Sequence, residues 1–167
     1  MFPSHDRRRN IKRMANRKQK KEKVSYYFAY GSNMNHEHMK FRCPKSKYIG
    51  TYTLPEYELV FRSVADVQPS EGSSVTGALF AITQECETAL DRYEGYPNLY
   101  TKKYHMKWHD DLTKFVPQKI MFYSMVDKQL VYPPSEGYLG TIFKGYMDCD
   151  LPTEPLEKAV KFSAERS

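Results

Sequence analysis

An α+β fold around a mixed or partly closed sheet is what the chain predicts, and three features predict it. Six segments read as strands, three read as helices, and several of the strands follow one another directly in sequence. At 167 residues the chain has room for one domain with a real core plus a tail. Its 40% hydrophobic and 28% charged residues are the balance of a soluble globular protein, which excludes a wholly disordered or fibrous reading.

The N-terminal 1–23 stands apart. It holds ten Lys/Arg against Asp6 and Glu22, a balance of +8, while the rest of the chain has 16 basic and 18 acidic residues and is slightly negative. The overall charge of +6 is therefore a property of this arm. Block charge with few apolar residues predicts a disordered segment, which reads either as a solvated, dispensable extension or as an arm that meets a nucleic acid or an acidic partner through its charge. No aromatic lies among the basic residues, so base stacking is not on offer. Met14 followed by Ala15 offers an alternative start.

The composition changes at Val24. Val24 to Tyr30 (VSYYFAY) is an apolar and aromatic run that reads as a buried strand ending at Gly31. Further strands are expected at Tyr48–Tyr52, Tyr57–Arg62, Val75–Ile82, Tyr100–Trp108 and Lys119–Met125. In the fifth, Tyr100, Lys102, Tyr104, Met106 and Trp108 alternate with Thr101, Lys103, His105 and Lys107, a mostly apolar face against a polar one.

Thr83 can cap a helix running to about Tyr93, with Cys86, Ala89, Leu90 and Tyr93 on one stripe. Glu85 and Glu87 fall in its favourable first turn and read as structural. Ser135 can cap a second helix, with Tyr138, Ile142 and Phe143 inward and Gly145 as the stop. Thr153 can cap a third, with Pro155 in its first turn and Leu156, Ala159, Val160 and Ser163 facing in. The organisation expected is a basic arm at 1–23, one domain over 24–155, and a C-terminal helix or tail at 156–167.

The strongest chemical signal is YFAYGSNM, Tyr27 to Met34. A buried strand that stops at Gly-Ser-Asn offers several backbone N–H groups where the chain turns, and Gly31 and Asn33 can take the dihedrals of an anion-binding nest. By itself such a run also serves as a plain turn. Glu94 precedes Gly95, a C-terminal glycine of the Thr83 helix, so the helix dipole and an aromatic pocket would both raise its pKa toward the range useful for proton transfer near neutrality.

Together, YFAYGSNM, LDRYEG (Leu90–Gly95) with Tyr100 beyond it, PPS (Pro133–Ser135) with Tyr138, and DLP (Asp150–Pro152) resemble the gamma-glutamylcyclotransferase family, in the family's order and over about Ser25 to Pro155. The resemblance implies a small mixed, partly closed β-barrel with flanking helices. It assigns a glutamyl-binding loop to Tyr30, Gly31, Ser32 and Asn33, the acid/base role to Glu94, and pocket-lining roles to Tyr100 and Tyr138. It implies a small gamma-glutamyl substrate, cyclised by its own amine to release 5-oxoproline, with no cofactor and no metal. Specificity would lie in pocket shape near Tyr96, Tyr100 and Tyr138. The unusually aromatic block from Tyr93 to Tyr100 departs from the family pattern and leaves the leaving group open.

Other chemistries are less well supported. Ser32 lacks a GxSxG elbow, and there is no GxxxxGK[ST] or GxGxxG run for a nucleotide. His36 and His38 are spaced as a strand pair. His105 and His109 would share a strand face about 13 Å apart, too far for one ion. Cys43, Cys86 and Cys149 show no CxxC pairing, so reduced thiols and a cytoplasmic setting are expected, in keeping with an N-terminus that has no apolar signal region. The sequence leaves the oligomeric state open, a homodimer included. It also leaves a second class open: a catalytically silent member of the fold that binds a small molecule, or that binds a partner through its arm.

Overall fold

The computed structural model describes residues 22–107 and 118–167. Most of the basic arm (1–21), together with Trp108 and His109, lies outside the described residues. The elements run β1 (Ser25–Ala29), a single 3-10 turn (Ser32–Met34), α1 (His36–Arg42), β2 (Lys47–Arg62), β3 (Val64–Ile82), α2 (Gln84–Glu94), β4 (Tyr100–Lys107), β5 (Gln118–Met125), α3 (Glu136–Asp148) and α4 (Glu154–Glu165).

The α+β class stands. Among the described residues the strands form one five-stranded sheet in the order β2-β3-β1-β5-β4. β1 lies at its centre, antiparallel to β3 and parallel to β5, which makes the sheet mixed. A central strand is covered on both faces, which is why Tyr27, Phe28 and Ala29 are buried in succession rather than alternately. The backbone ladder does not close into a barrel. Its two outer strands are linked instead by side chains, with the Tyr52 hydroxyl of β2 2.6 Å from Nδ1 of His105 on β4.

The two segments expected at Tyr48–Tyr52 and Tyr57–Arg62 are one bulged strand, β2, paired along its length with a β3 that begins eleven residues before Val75. The run Pro69-Ser70-Glu71-Gly72-Ser73 has the composition of a loop. It bulges out where Pro55 pairs with Ser74 and Tyr57 with Pro69, and pairing resumes on either side. Ser63, at φ 62°, turns the corner between the two strands.

The alternation expected in β4 holds only at its start. Tyr100 is buried, but Tyr104 and Met106 are exposed because β4 is an edge strand, and His105 on the opposite face is the half-buried one. α1 was not foreseen. Asn35 caps it by accepting from the N–H groups of Glu37 and His38, so His36 and His38 sit on a helix and not on a strand. Seven residues without an apolar stripe give little periodicity to detect.

α2 follows its sequence signals: Thr83 Oγ1 accepts from Cys86 N, and Gly95 ends it at φ 63°. α4 packs Leu156, Ala159 and Ser163 inward, Ser163 Oγ accepting from Phe61 N on β2. Thr153 makes no cap hydrogen bond to the α4 backbone and instead donates to Glu157 Oε1. α3 is capped by Ser135 as expected but does not stop at Gly145. That glycine lies inside the helix because the backbone of the 3-10 turn is pressed against it. A Cβ there would stand 2.6 Å from Met34 Cβ and 2.7 Å from Asn35 N. Gly145→Ala should therefore destabilise the fold by about 1–2 kcal/mol, since overpacking against backbone falls in the upper part of the ~1–3 kcal/mol range and the gain in helix propensity offsets only ~1. A denaturant midpoint equal to that of the parent would show the contact to be slack.

Candidate active site

The end of β1, the start of β3, the ends of α2 and β5, and the first turn of α3 enclose a cavity of about 190 Å³. It is lined by Tyr30, Gly31, Ser32, Asn33, Glu94, Tyr100 and Tyr138, with Tyr27, Tyr93, Leu99, Tyr123, Val64 and Ala65 completing the wall. The seven residues given loop, acid/base or lining roles by the resemblance thus meet in one place. The volume is below the ~300–1,000 Å³ of pockets for drug-sized ligands, so it suits a compact molecule.

The loop is held from both sides. The Tyr30 hydroxyl donates to Tyr123 O at 2.6 Å, and Ser32 Oγ lies 3.0 Å from the Tyr93 hydroxyl. Gly31 and Asn33 do not adopt left-handed dihedrals (Gly31 φ is −120°), so the loop is not the nest that its composition suggested. It is a 3-10 turn, with Met34 N donating to Gly31 O and Asn35 N to Ser32 O. The leading N–H groups of such a turn, here those of Ser32 and Asn33, have no partner within it. Space at Gly31 is tight: a Cβ would come within 3.1 Å of Ala65 Cβ, which would have to give slightly, and would touch the Tyr138 hydroxyl at 3.4 Å.

Ala65 fixes two of the wall tyrosines. Its carbonyl accepts from the Tyr100 hydroxyl at 2.6 Å, and its N–H donates to the Tyr138 hydroxyl at 3.1 Å. Burial pushes the phenols of Tyr27, Tyr30, Tyr100, Tyr123 and Tyr138 well above the ordinary tyrosine value, so all five are neutral at physiological pH.

Glu94 is the last residue of α2, and its carboxyl points into this wall of phenols. Oε1 accepts from Asn33 Nδ2 at 3.2 Å, and the same amide group donates to the Tyr27 hydroxyl at 3.1 Å. Desolvation raises the Glu94 pKa to about 7, against a smaller lowering by the Arg42 guanidinium. A carboxyl that titrates near neutrality in a small polar cavity can take up a proton and return it.

The pattern of the sequence did not expose several wall residues. Tyr27 and Tyr123 lie on buried strands, where an aromatic reads as core. Arg42, behind the wall and on a helix that the sequence does not announce, donates from Nη1 to Asn33 Oδ1 at 2.7 Å, and its guanidinium lies 3.6 Å from the Tyr93 ring centroid. Tyr96 does not line the cavity. It is on the surface with the Lys102 ammonium 4.6 Å from its ring centroid. Glu85 and Glu87 make ion pairs with Lys45 and Lys102, which fits a structural role. Among the described residues no three His, Cys, Asp or Glu side chains converge as a metal site, and no helix is long and apolar enough to cross a membrane.

The family model described as gamma-glutamyl cyclotransferase, AIG2-like, matches residues 27–138. Among solved structures, one named gamma-glutamyl cyclotransferase superposes with a TM-score of 0.68 at 23% identity, covering 82% of this chain and 86% of its own. An uncharacterised protein from Homo sapiens superposes at 0.67 with 24% identity, covering 83% and 87%. YkqA from Bacillus subtilis does so at 0.67 with 21% identity, covering 87% of this chain and 56% of its own. Likeness at these identities speaks for the fold. No curated protein matches the chain.

Proposed function

The chain belongs to the gamma-glutamyl cyclotransferase, AIG2-like family, and from that premise we propose that it cyclises a small gamma-glutamyl compound, releasing 5-oxoproline and the amine that was bound to it. The observation that carries this reading is the buried Glu94 carboxyl, with a pKa near 7, facing the Tyr30–Asn33 turn across one small cavity.

The chemistry needs an amine freed of its proton. The α-ammonium of a gamma-glutamyl compound is a much weaker acid than a carboxyl group, so a carboxylate titrating at about 7 is a better-matched base for it than an ordinary one at ~4. Glu94 takes the ammonium proton. The amine nitrogen then attacks the γ-carbonyl carbon of the same molecule and closes a five-membered ring. In this reading the N–H groups leading the 3-10 turn receive the resulting oxyanion, and a well-aimed donor contributes ~3 kcal/mol to the transition state. As the γ-amide C–N bond breaks, Glu94 returns its proton to the leaving amine, and the ring nitrogen gives up its second proton to the same group, which departs as an ammonium. Nucleophile and electrophile share one molecule, so the wall of phenols contributes mainly by enforcing the folded conformer.

Ser32 has the Tyr93 phenol as its hydrogen-bond partner and not a base, which disfavours an acyl-enzyme route. The test is incubation with gamma-glutamyl dipeptides, gamma-glutamyl-lysine and glutathione while following 5-oxoproline. Release from at least one is expected, and folded protein that releases none from any of them would sink the proposal.

A further inference from the structure

We infer that Arg42 is a positioning residue for the acid/base carboxyl, acting through the Asn33 carboxamide that stands between them; the inference rests on the role proposed for Glu94. A carboxamide has an accepting and a donating end, and little besides its partners decides which faces which way. A guanidinium only donates. With Arg42 Nη1 2.7 Å from Asn33 Oδ1, the oxygen is committed to Arg42, and the amide hydrogens are committed to Tyr27 and to Glu94 Oε1. Flipping the amide would set its NH2 against the donor-only guanidinium and its oxygen against Glu94 Oε1. The second of these contacts is tolerable only when Glu94 is protonated.

Arg42 is itself held. It ends α1, and its guanidinium lies on the ring of Tyr93, the residue before Glu94, whose hydroxyl reaches back to Ser32. One side chain from outside the cavity wall thus ties the substrate-side turn to the end of α2. None of the lining residues duplicates this contact, because the wall offers phenols, small side chains and one carboxyl.

The groups facing Glu94 from the surrounding elements are the Tyr27 phenol of β1, Tyr30 and Asn33 of the loop, Arg42 of α1, Tyr100 of β4, Tyr123 of β5, Tyr138 of α3, and its own neighbour Tyr93. The buried phenols are neutral, so Arg42 supplies the positive charge that opposes desolvation of the carboxylate. Removing Arg42 takes away that charge and frees the amide to turn, and both changes favour protonated Glu94.

The experiment compares the parent with Arg42→Ala, Arg42→Gln and Arg42→Lys by two readouts: the pH profile of 5-oxoproline release, and the titration of the Glu94 carboxyl followed by carboxyl-carbon NMR, with Glu94→Gln assigning the signal. In Arg42→Ala the carboxyl midpoint and the acidic limb should move up together by about one pH unit. That shift alone lowers kcat at neutral pH about fivefold, with KM held within about twofold. Arg42→Gln, which keeps a donor for Asn33 without the charge, should move the limb less, and Arg42→Lys should restore it most fully. A uniform loss of rate with an unmoved limb is what mere loosening of the fold would give, and it overturns the inference. So does a carboxyl midpoint unchanged in Arg42→Ala. The titration needs no turnover, so a shifted midpoint in a protein that releases no 5-oxoproline would uphold the positioning contact while rejecting the proposed reaction.

Discussion

Glu94→Gln should reduce 5-oxoproline release by about 10²–10⁴-fold, the range for removing a general acid/base, and at the same time make the fold more stable at alkaline pH. The folded-state pKa of Glu94 is raised from 4.5 to about 7 by burial, so the folded protein holds this proton more tightly than the unfolded chain does. That contribution is fully present below about pH 4.5 and is lost as the pH rises through about 7. Above it the wild type keeps a charge where burial penalises one, and glutamine, neutral at every pH, does not. The full shift corresponds to ~3 kcal/mol at 1.36 kcal/mol per unit, and residual contact with solvent brings the expected gain to about 2 kcal/mol. For a chain of this size that is a rise in Tm of roughly 4–8 °C at about pH 8.5, shrinking to nothing near about pH 4. Thermal unfolding at the two pH values checks it. An equal Tm difference at both would mean that the carboxyl is not desolvated, and undiminished release would assign the proton transfer to another group.

Asp66→Ala should cost the fold about 3–5 kcal/mol, the range for breaking a fully buried ion pair on one side. Asp66 is 0% exposed and Arg62 1% exposed. Asp66 Oδ2 accepts from Arg62 Nε at 2.8 Å and from Lys128 Nζ at 2.7 Å, while Oδ1 accepts from Met125 N at 2.8 Å. The rest of the Arg62 guanidinium donates to the carbonyls of Lys128 and Leu130 and to Gln68 Oε1, so this cluster stitches the β2–β3 corner to the chain after β5. Without Asp66 the guanidinium stays buried with no carboxylate opposite it. The neighbouring Ala65, which holds both Tyr100 and Tyr138, would lose its anchor, so activity should fall further than the lost stability alone accounts for. Urea unfolding of Asp66→Ala measures the cost, and a change under about 1 kcal/mol would show the pair to be dispensable. The double variant Asp66→Leu/Arg62→Met should recover much of the loss, since replacing both charges removes the orphan that either single change creates.

What could be read before folding was local. The apolar run into Gly31, the Thr83 cap and the Gly95 stop are each set by neighbours a few residues apart, and they delivered β1, the turn after it and α2 with Glu94 at its end. The buried stripe of α4 was legible for the same reason. The unread features depend on what arrives from far along the chain. Gly145 looked like a helix stop because its role as a seat for Met34 and Asn35 requires a contact across more than a hundred residues. The first half of β3 looked like a loop because Ser70 to Ser73 are turn formers, and only pairing with β2 on both sides makes a bulge of them. Nothing local marks Arg62 and Asp66 as a buried pair, because their burial depends on Lys128 and the chain after β5 closing over them.

A Gly-Ser-Asn turn at the end of a buried strand and an acidic residue at the end of a helix follow from the order of residues alone, because dihedral preference and capping act within a few residues. That these two ends meet, that Asn33 points its amide hydrogens at Glu94, and that Arg42 stands behind it follow only from the packed chain. Hydrogen-bond partners and desolvation are properties of a filled space, and that space is assembled from five stretches of chain which the order of residues does not place side by side.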